Sequence, residues 1–233
     1  MKTTNELRID LAEKSLAAMG FDLSLAEQGS AQWHKARLGV ITASQAHNII
    51  KKGRGGKVSA QRETYMLELI AEVLTGKSKS VSGAALDWGN NNEEASRHAF
   101  NEQYGDFTEE IPFIYSDNMR CGYSPDGLLG TNSAIEIKCP YNTENHLRTV
   151  LSQEVKPEYI TQMQYGLWIT ERESCHFVTH DPRILSKYKT YSIEFLRDEE
   201  LMKRFNDEIP KFIDEMDGAL KEFGVEFGSQ WES

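Results

Sequence analysis

The chain has no apolar run approaching the roughly 18 residues needed to span a bilayer, and its opening, MKTTNELRID, lacks the apolar stretch of a secretory signal. Both absences predict a cytoplasmic protein with no membrane partner. Cysteine is scarce: Cys121, Cys139 and Cys175 are the only three, far apart and without a CxxC pair. This argues against a disulfide framework, a zinc knuckle or a four-cysteine iron–sulfur site, and predicts buried thiols. The six histidines (His34, His47, His98, His146, His176 and His180) are expected in the core or facing solvent. The run 53-GRGGK-57 lacks the Gly-Lys-Ser/Thr ending of a phosphate loop, so nucleotide hydrolysis is not expected.

What is present is ordinary globular composition: 39% hydrophobic, 27% charged and 10% aromatic residues in a chain of 233. With no repeat and no linker composition, the expectation is a single domain over residues 1–233 with an N-terminal helical segment over about 1–25. The net charge of −10 disfavours nonspecific adhesion to nucleic acid. It does not exclude a nucleic-acid enzyme, because a carboxylate-rich metal site can coexist with a local basic groove. Lys51, Lys52, Arg54, Lys57 and Arg62 form one such local excess, readable as a solvated loop or as a phosphate-backbone contact.

Helical periodicity predicts helices over 5–21, over 30–39 with Ser30 as N-cap and Gly39 as stop, and over 42–50 capped by Thr42 or Ser44. Further helices are predicted over 59–74, 84–104, 157–170 and from Asp198 to about Phe223. Short, partly alternating stretches at 107–116, 119–124 and 133–139 read as adjacent antiparallel strands, with two more at 175–181 and 189–196. The fold class predicted is α/β, a central mixed sheet flanked by helices.

The sharpest constellation is 124-SPDGLLGTNSAIEIKCP-140. Residues two apart on a strand share a face, so Glu136 and Lys138 project together while Ile137 points the other way. If the strand bearing Asp126 pairs beside them, two carboxylates and an ammonium converge. Asp126, Glu136 and the Ile137 carbonyl would suit a hard divalent cation such as Mg²⁺. Lys138 would orient a metal-bound water and oppose charge on a phosphoryl oxygen, which is phosphodiester hydrolysis. On this spacing alone, a charged hairpin with a surface Glu–Lys pair fits equally. Glu93 or Glu94 opens a helical stretch and could supply a further carboxylate, Gln162 and Gln164 interrupt an apolar helix, and Arg37 with Ser44 could clamp a terminal phosphate.

The strings WHKARLGVITAS, LDWGNNNEEA, SPDGL, IEIKCP, YITQMQYGLWIT, 181-DPR-183 and VEFGSQW, in that order from about Ala26 to Trp231, carry a resemblance. The chain resembles the phage lambda exonuclease family, within the YqaJ-like viral recombinases of the PD-(D/E)-x-K nuclease superfamily, whose fold is restriction-endonuclease-like. The resemblance implies that Asp126, Glu136 and the Ile137 carbonyl are metal ligands, that Lys138 assists the nucleophilic water, and that Glu93 and Gln162 complete the catalytic set. It places Arg37, Ser44 and Ser124 at the 5′-phosphate and Leu86 as a wedge at the terminal base pair.

The activity this implies is a Mg²⁺-dependent exonuclease, with Mn²⁺ as a substitute, that degrades one strand of linear double-stranded DNA from its 5′ end to mononucleotides. A 3′ single-stranded tail remains for phage-type recombination. A homotrimeric ring, a preference for a 5′-phosphate, a single-strand annealing protein as partner and the host bacterial cytoplasm are implied with it. The rivals are a structure-specific or restriction-type endonuclease on the same core, and a non-catalytic DNA-mimic or binding protein, to which the charge of −10 lends appeal.

Overall fold

In the computed structural model the described residues are 27–51, 53, 55, 59–79, 82–105, 107–185 and 187–232, with 13, 17 and 22 before them. The N-terminal helical segment, apart from Glu13, Ala17 and Asp22, lies outside these residues, as do Lys52, Arg54 and Lys57 of the basic run. Arg62, the last of that run, belongs to no loop. It is buried on a helix and donates both guanidinium ends to Glu215, at 2.6 and 2.8 Å, so it is not available as a phosphate contact.

Helix α1 (Ala31–Ala36) begins where the Ser30 hydroxyl accepts from the Trp33 N–H at 3.1 Å, the capping bond that satisfies an orphan helix donor. The stretch 42–50 is not one helix. Strand β1 (Ile41–Thr42) pairs in parallel with a later strand, so the chain stays extended there. A 3₁₀ turn (Ala43–Gln45) and α2 (Ala46–Ile50) follow, and neither has a side-chain cap from Thr42 or Ser44. Ser59 caps α3 (Ala60–Thr75), and α4 (Ala84–Tyr104) ends at Gly105, whose φ of +71° suits glycine.

Two sheets form. The smaller has the order β1-β4-β3, from β3 (Ile114–Tyr115) and β4 (Cys121–Tyr123). The larger has the order β2-β5-β6-β7-β8, from β2 (Thr108–Glu109), β5 (Gly127–Leu129), β6 (Ser133–Lys138), β7 (Ser174–His180) and β8 (Thr190–Leu196). The expected strand over 107–116 therefore divides, its two ends joining different sheets around Pro112, a residue without a backbone N–H to donate. In the larger sheet β6 and β7 are parallel and the other pairs antiparallel. The crossover between β6 and β7 carries α5 (Thr143–Ser152), which the periodicity does not reveal, and α6 (Pro157–Thr170), with Pro157 in its first turn.

Alternation along β6 gives the sheet its two faces. Ile135 and Ile137 pack with Phe100 of α4, Leu129 and Val178 on one side, while Ala134 joins the larger core under α6. That core extends to α7 (Glu199–Glu222), whose Phe205, Ile209, Phe212, Met216 and Leu220 are buried. Gly166 lets α6 lie directly on the small sheet, because a Cβ there would sit 2.6 Å from the Tyr123 ring. All three cysteines are free and buried, and His146 and His180 are buried with hydrogen-bonded rings. No described helix is long and apolar enough to cross a membrane.

Candidate functional site

The face of β6 that carries Ala134 also carries Glu136 and Lys138. Glu136 is wholly buried; its Oε1 accepts from the Lys138 ammonium and, at 2.7 Å, from Nε2 of Gln162 on α6. Its Oε2 has no hydrogen-bond partner among the described residues. Gln164, the other amide of that helix, instead bonds the Leu196 carbonyl and the Asp198 N–H, a structural role. Asp126 is not on a strand but in the link from β4 to β5, and β5 forms a hairpin with β6 in the register Gly127 to Ile135. From there its Oδ2 accepts the Ile137 N–H at 2.6 Å, which sets the carboxylate beside β6.

Helix α4 contributes Glu93, while Glu94 is exposed. A residue not anticipated, Arg97, holds this corner together: Nη2 bonds Glu93 Oε1 at 2.9 Å, Nε bonds the Asp126 carbonyl at 2.7 Å, and Nη1 meets Glu110 at 2.9 Å. Only the four-residue step from Glu93 to Arg97 was visible beforehand as a helical ion-pair spacing.

Of these residues Glu93, Ile137, Lys138 and Gln162 line a cavity of about 910 Å³, with Ser44 and Leu86, while Asp126 and Glu136 are not among its lining residues. Leu86 is exposed at its edge, in the first turn of α4. Across the cavity stand Tyr141, Arg148, Lys156 and Tyr159, which the sequence did not single out. The Tyr159 ring has the Lys138 ammonium 5.1 Å and the Lys156 ammonium 5.5 Å from its centre. Arg37 and Ser124 are not among the lining residues. The Arg37 guanidinium lies 3.7 Å over the Trp33 ring, and its Nε is buried without a partner. Ser124 accepts from Trp33 Nε1 at 2.9 Å and donates to the Pro112 carbonyl at 2.6 Å, so its hydroxyl is already engaged. Of the expected phosphate clamp, the structure brings Ser44 to the cavity and joins Arg37 and Ser124 to each other through Trp33.

Burial dominates the electrostatics. It raises the affinity of Glu136, Asp126 and Glu93 for protons, with the negative charge of Asp126 adding to the effect on Glu136 and Glu93 and Lys138 opposing it on all three. Burial works against the charge on Lys138 as well, but Glu136 and Asp126 outweigh it and raise its proton affinity. Arg37 is pushed down to about 10 by burial.

Crowded, desolvated carboxylates with an orphaned oxygen on Glu136 are a donor set that a cation would satisfy. Among the described residues no group of three His, Cys, Asp or Glu side chains is arranged as a ready metal cage. The residues that fit are two carboxylates, Asp126 and Glu136, with the Ile137 carbonyl, a sparse oxygen set of the kind that leaves water on Mg²⁺.

Known proteins share this architecture. The chain is 33% identical to an alkaline exonuclease, LHK-Exo, from Laribacter hongkongensis, with a TM-score of 0.77 over 84% of this chain and 96% of that one. The structure of LHK-Exo in complex with dAMP matches at 34% identity and a TM-score of 0.76, over 83% and 96% of the two chains. A phage related exonuclease from Haemophilus somnus 129PT shares the fold at 15% identity, with a TM-score of 0.68 over 79% and 96%. ExoD of Escherichia coli (strain K12) is 37% identical over 79 residues, which are 34% of this chain and 90% of ExoD. The helix-flanked mixed sheet, with Glu136 and Lys138 on β6 and Asp126 in the link before β5, is the PD-(D/E)-x-K nuclease fold. Residues 32–173, more than half of the chain, match the YqaJ-like viral recombinase domain, and the chain belongs to that family.

Proposed function

We propose that this protein is a metal-dependent exonuclease that degrades one strand of linear double-stranded DNA in the 5′-to-3′ direction. It releases mononucleotides and leaves a 3′ single-stranded tail for recombination. The observation that carries the reading is the buried Glu136, bonded through one oxygen to Lys138 and Gln162, which line a cavity together with Glu93, and unpartnered at the other among the described residues. Membership of the YqaJ-like family and the likeness to an alkaline exonuclease support DNA exonuclease activity.

In this reading Asp126, Glu136 and the Ile137 carbonyl hold Mg²⁺, or Mn²⁺ in its place. The cation supplies a more acidic bound water and positive charge beside the scissile phosphate. Lys138, kept charged by its carboxylate neighbours, orients the attacking water and faces the phosphoryl oxygen. Gln162 holds Glu136 in place and Glu93 adds a carboxylate from α4, tied to Asp126 through Arg97. Ser44 and Arg37 take the 5′-phosphate, Ser124 buttresses Arg37 through Trp33, and Leu86 parts the terminal base pair. The working form is a homotrimeric ring in the bacterial cytoplasm, partnered by a single-strand annealing protein.

The test is gel-resolved digestion of linear duplex with 5′-phosphate or 5′-hydroxyl ends, beside closed circular DNA, in Mg²⁺ and in EDTA. Loss of the linear substrate alone, fastest with a 5′-phosphate and absent in EDTA, is the expected result. Nicking of the circle would move the function to an endonuclease, and no cation-dependent cleavage would return it to a binding protein.

A further inference from the structure

Just past Lys138, the ends of the parallel strands β6 and β7 are tied by a hook. In their register Lys138 faces Thr179, so Pro140 and Asp181 each lie two residues past that pair. Asp181 is fully buried, and both of its oxygens are used. Oδ1 accepts from Arg183 Nε at 2.7 Å and from the Arg183 N–H at 3.0 Å; Oδ2 accepts from Arg183 Nη2 and from the Thr143 hydroxyl, each at 2.8 Å. The same Nη2 reaches the carbonyls of Tyr141, at 3.0 Å, and Pro140, at 3.2 Å. The guanidinium carbon lies 4.4 Å from the centre of the Trp88 ring, and Trp88 in turn meets Tyr141 edge-on at 6.2 Å.

Arg183 thus touches two walls of the cavity at once. One is the turn that immediately follows Lys138. The other is α4, on which Trp88 lies between Leu86 and Glu93. A planar guanidinium can stack on an indole while donating in its own plane to a carboxylate and to carbonyls, which a lysine ammonium cannot reproduce.

We propose that Arg183 is a positioning residue of the nuclease site, holding the Pro140–Tyr141 turn against Trp88 and so fixing Lys138 relative to Glu93. This rests on the nuclease reading above. Arg183 need not touch DNA; it acts by setting the distance between groups that do, and small misplacements of reacting groups carry large rate costs.

The experiment compares Arg183→Lys and Trp88→Leu with the wild-type full chain. Three readouts are taken: kcat and KM on linear duplex, thermal unfolding, and the indole N–H signals of the four tryptophans by two-dimensional NMR, with Trp88 assigned from Trp88→Leu. The expected result for Arg183→Lys is a shifted Trp88 signal and a kcat lower by about tenfold or more, with KM within about twofold. Trp88→Leu, which leaves the Asp181–Arg183 pair in place, lowers kcat in the same way. Wild-type kcat in Arg183→Lys despite a displaced Trp88 signal would overturn the proposal while leaving the nuclease reading intact. So would an unmoved Trp88 signal, or a loss of thermal stability with no change in kcat. Absence of cleavage by the wild type would overturn both. If Arg183→Lys does not fold, the kcat of Trp88→Leu decides.

Discussion

The Gln162 amide donates to the same Glu136 oxygen that the Lys138 ammonium contacts, at 2.7 Å, so helix α6 and strand β6 meet on one buried atom. The opposite oxygen of that carboxylate has no hydrogen-bond partner among the described residues. A side chain held by two donors at one end and none at the other is oriented before any substrate arrives.

Lys138→Ala follows directly. Its removal takes away the charge nearest Glu136, and the rate on linear duplex should fall by at least about 100-fold. Folding and DNA binding should persist, since Lys138 lies at the cavity wall. Digestion gels beside mobility-shift assays check this, and near-wild-type cleavage would remove lysine from the mechanism.

Asp126→Asn addresses the cation. The amide oxygen can still accept the Ile137 N–H, so the local backbone is preserved while a charge is lost. Calorimetric titration with Mg²⁺ should show binding weaker by about tenfold or more. Unchanged affinity would take Asp126 out of the ligand set.

Arg37→Ala tests the end clamp. The preference for a 5′-phosphate over a 5′-hydroxyl end should shrink, while the rate on 5′-hydroxyl duplex changes little. An undiminished ratio in paired rate measurements would leave Arg37 as a partner of Trp33 alone.

Asp181 predicts a pH dependence of stability. Burial by itself would raise its pKa, but hydrogen bonds from Arg183 and Thr143 prevail and hold it at about 2. Its unfolded value is about 3.9. The stabilisation is therefore fully present above about pH 4 and is lost as pH falls through about 2, with about 2–3 kcal/mol at stake. The Tm difference between wild type and Asp181→Asn should be steady from neutral pH to about 5 and narrow below it.

Gly166→Ala tests the packing of α6. The new methyl would collide with the Tyr123 ring, which is itself buried, and should cost about 1–3 kcal/mol in chemical denaturation. An unaltered unfolding midpoint would mean that the helix can ride outward freely.

Helices with strong caps were legible in the sequence because the signal is local: Ser30, Ser59 and Asp198 each accept backbone N–H groups within three residues. Helix α5 was illegible for an equally physical reason. Its buried residues are His146 and Thr149, while Leu147 and Leu151 face outward, so its apolar residues mark the wrong face. Strand β1, two residues long, has no periodicity to read. In the site, the spacing of Asp126, Glu136 and Lys138 was visible because a hairpin joins them. Arg97 escaped notice, and Arg183 was marked only as part of 181-DPR-183 without a role, because their partners Asp126 and Pro140 lie 29 and 43 residues away.

The parallel pairing of β6 with β7 has a temporal consequence. Glu136 and Lys138 are positioned by a short hairpin, but Gln162 and Thr179 arrive only after the whole α5–α6 crossover has been made and folded back. Closing a loop of that length is entropically slow relative to a hairpin. A chain emerging from the ribosome thus holds its reactive strand early yet lacks the walls of the cavity until β7 docks. A site built in that order has all its walls only once the chain has folded as a whole.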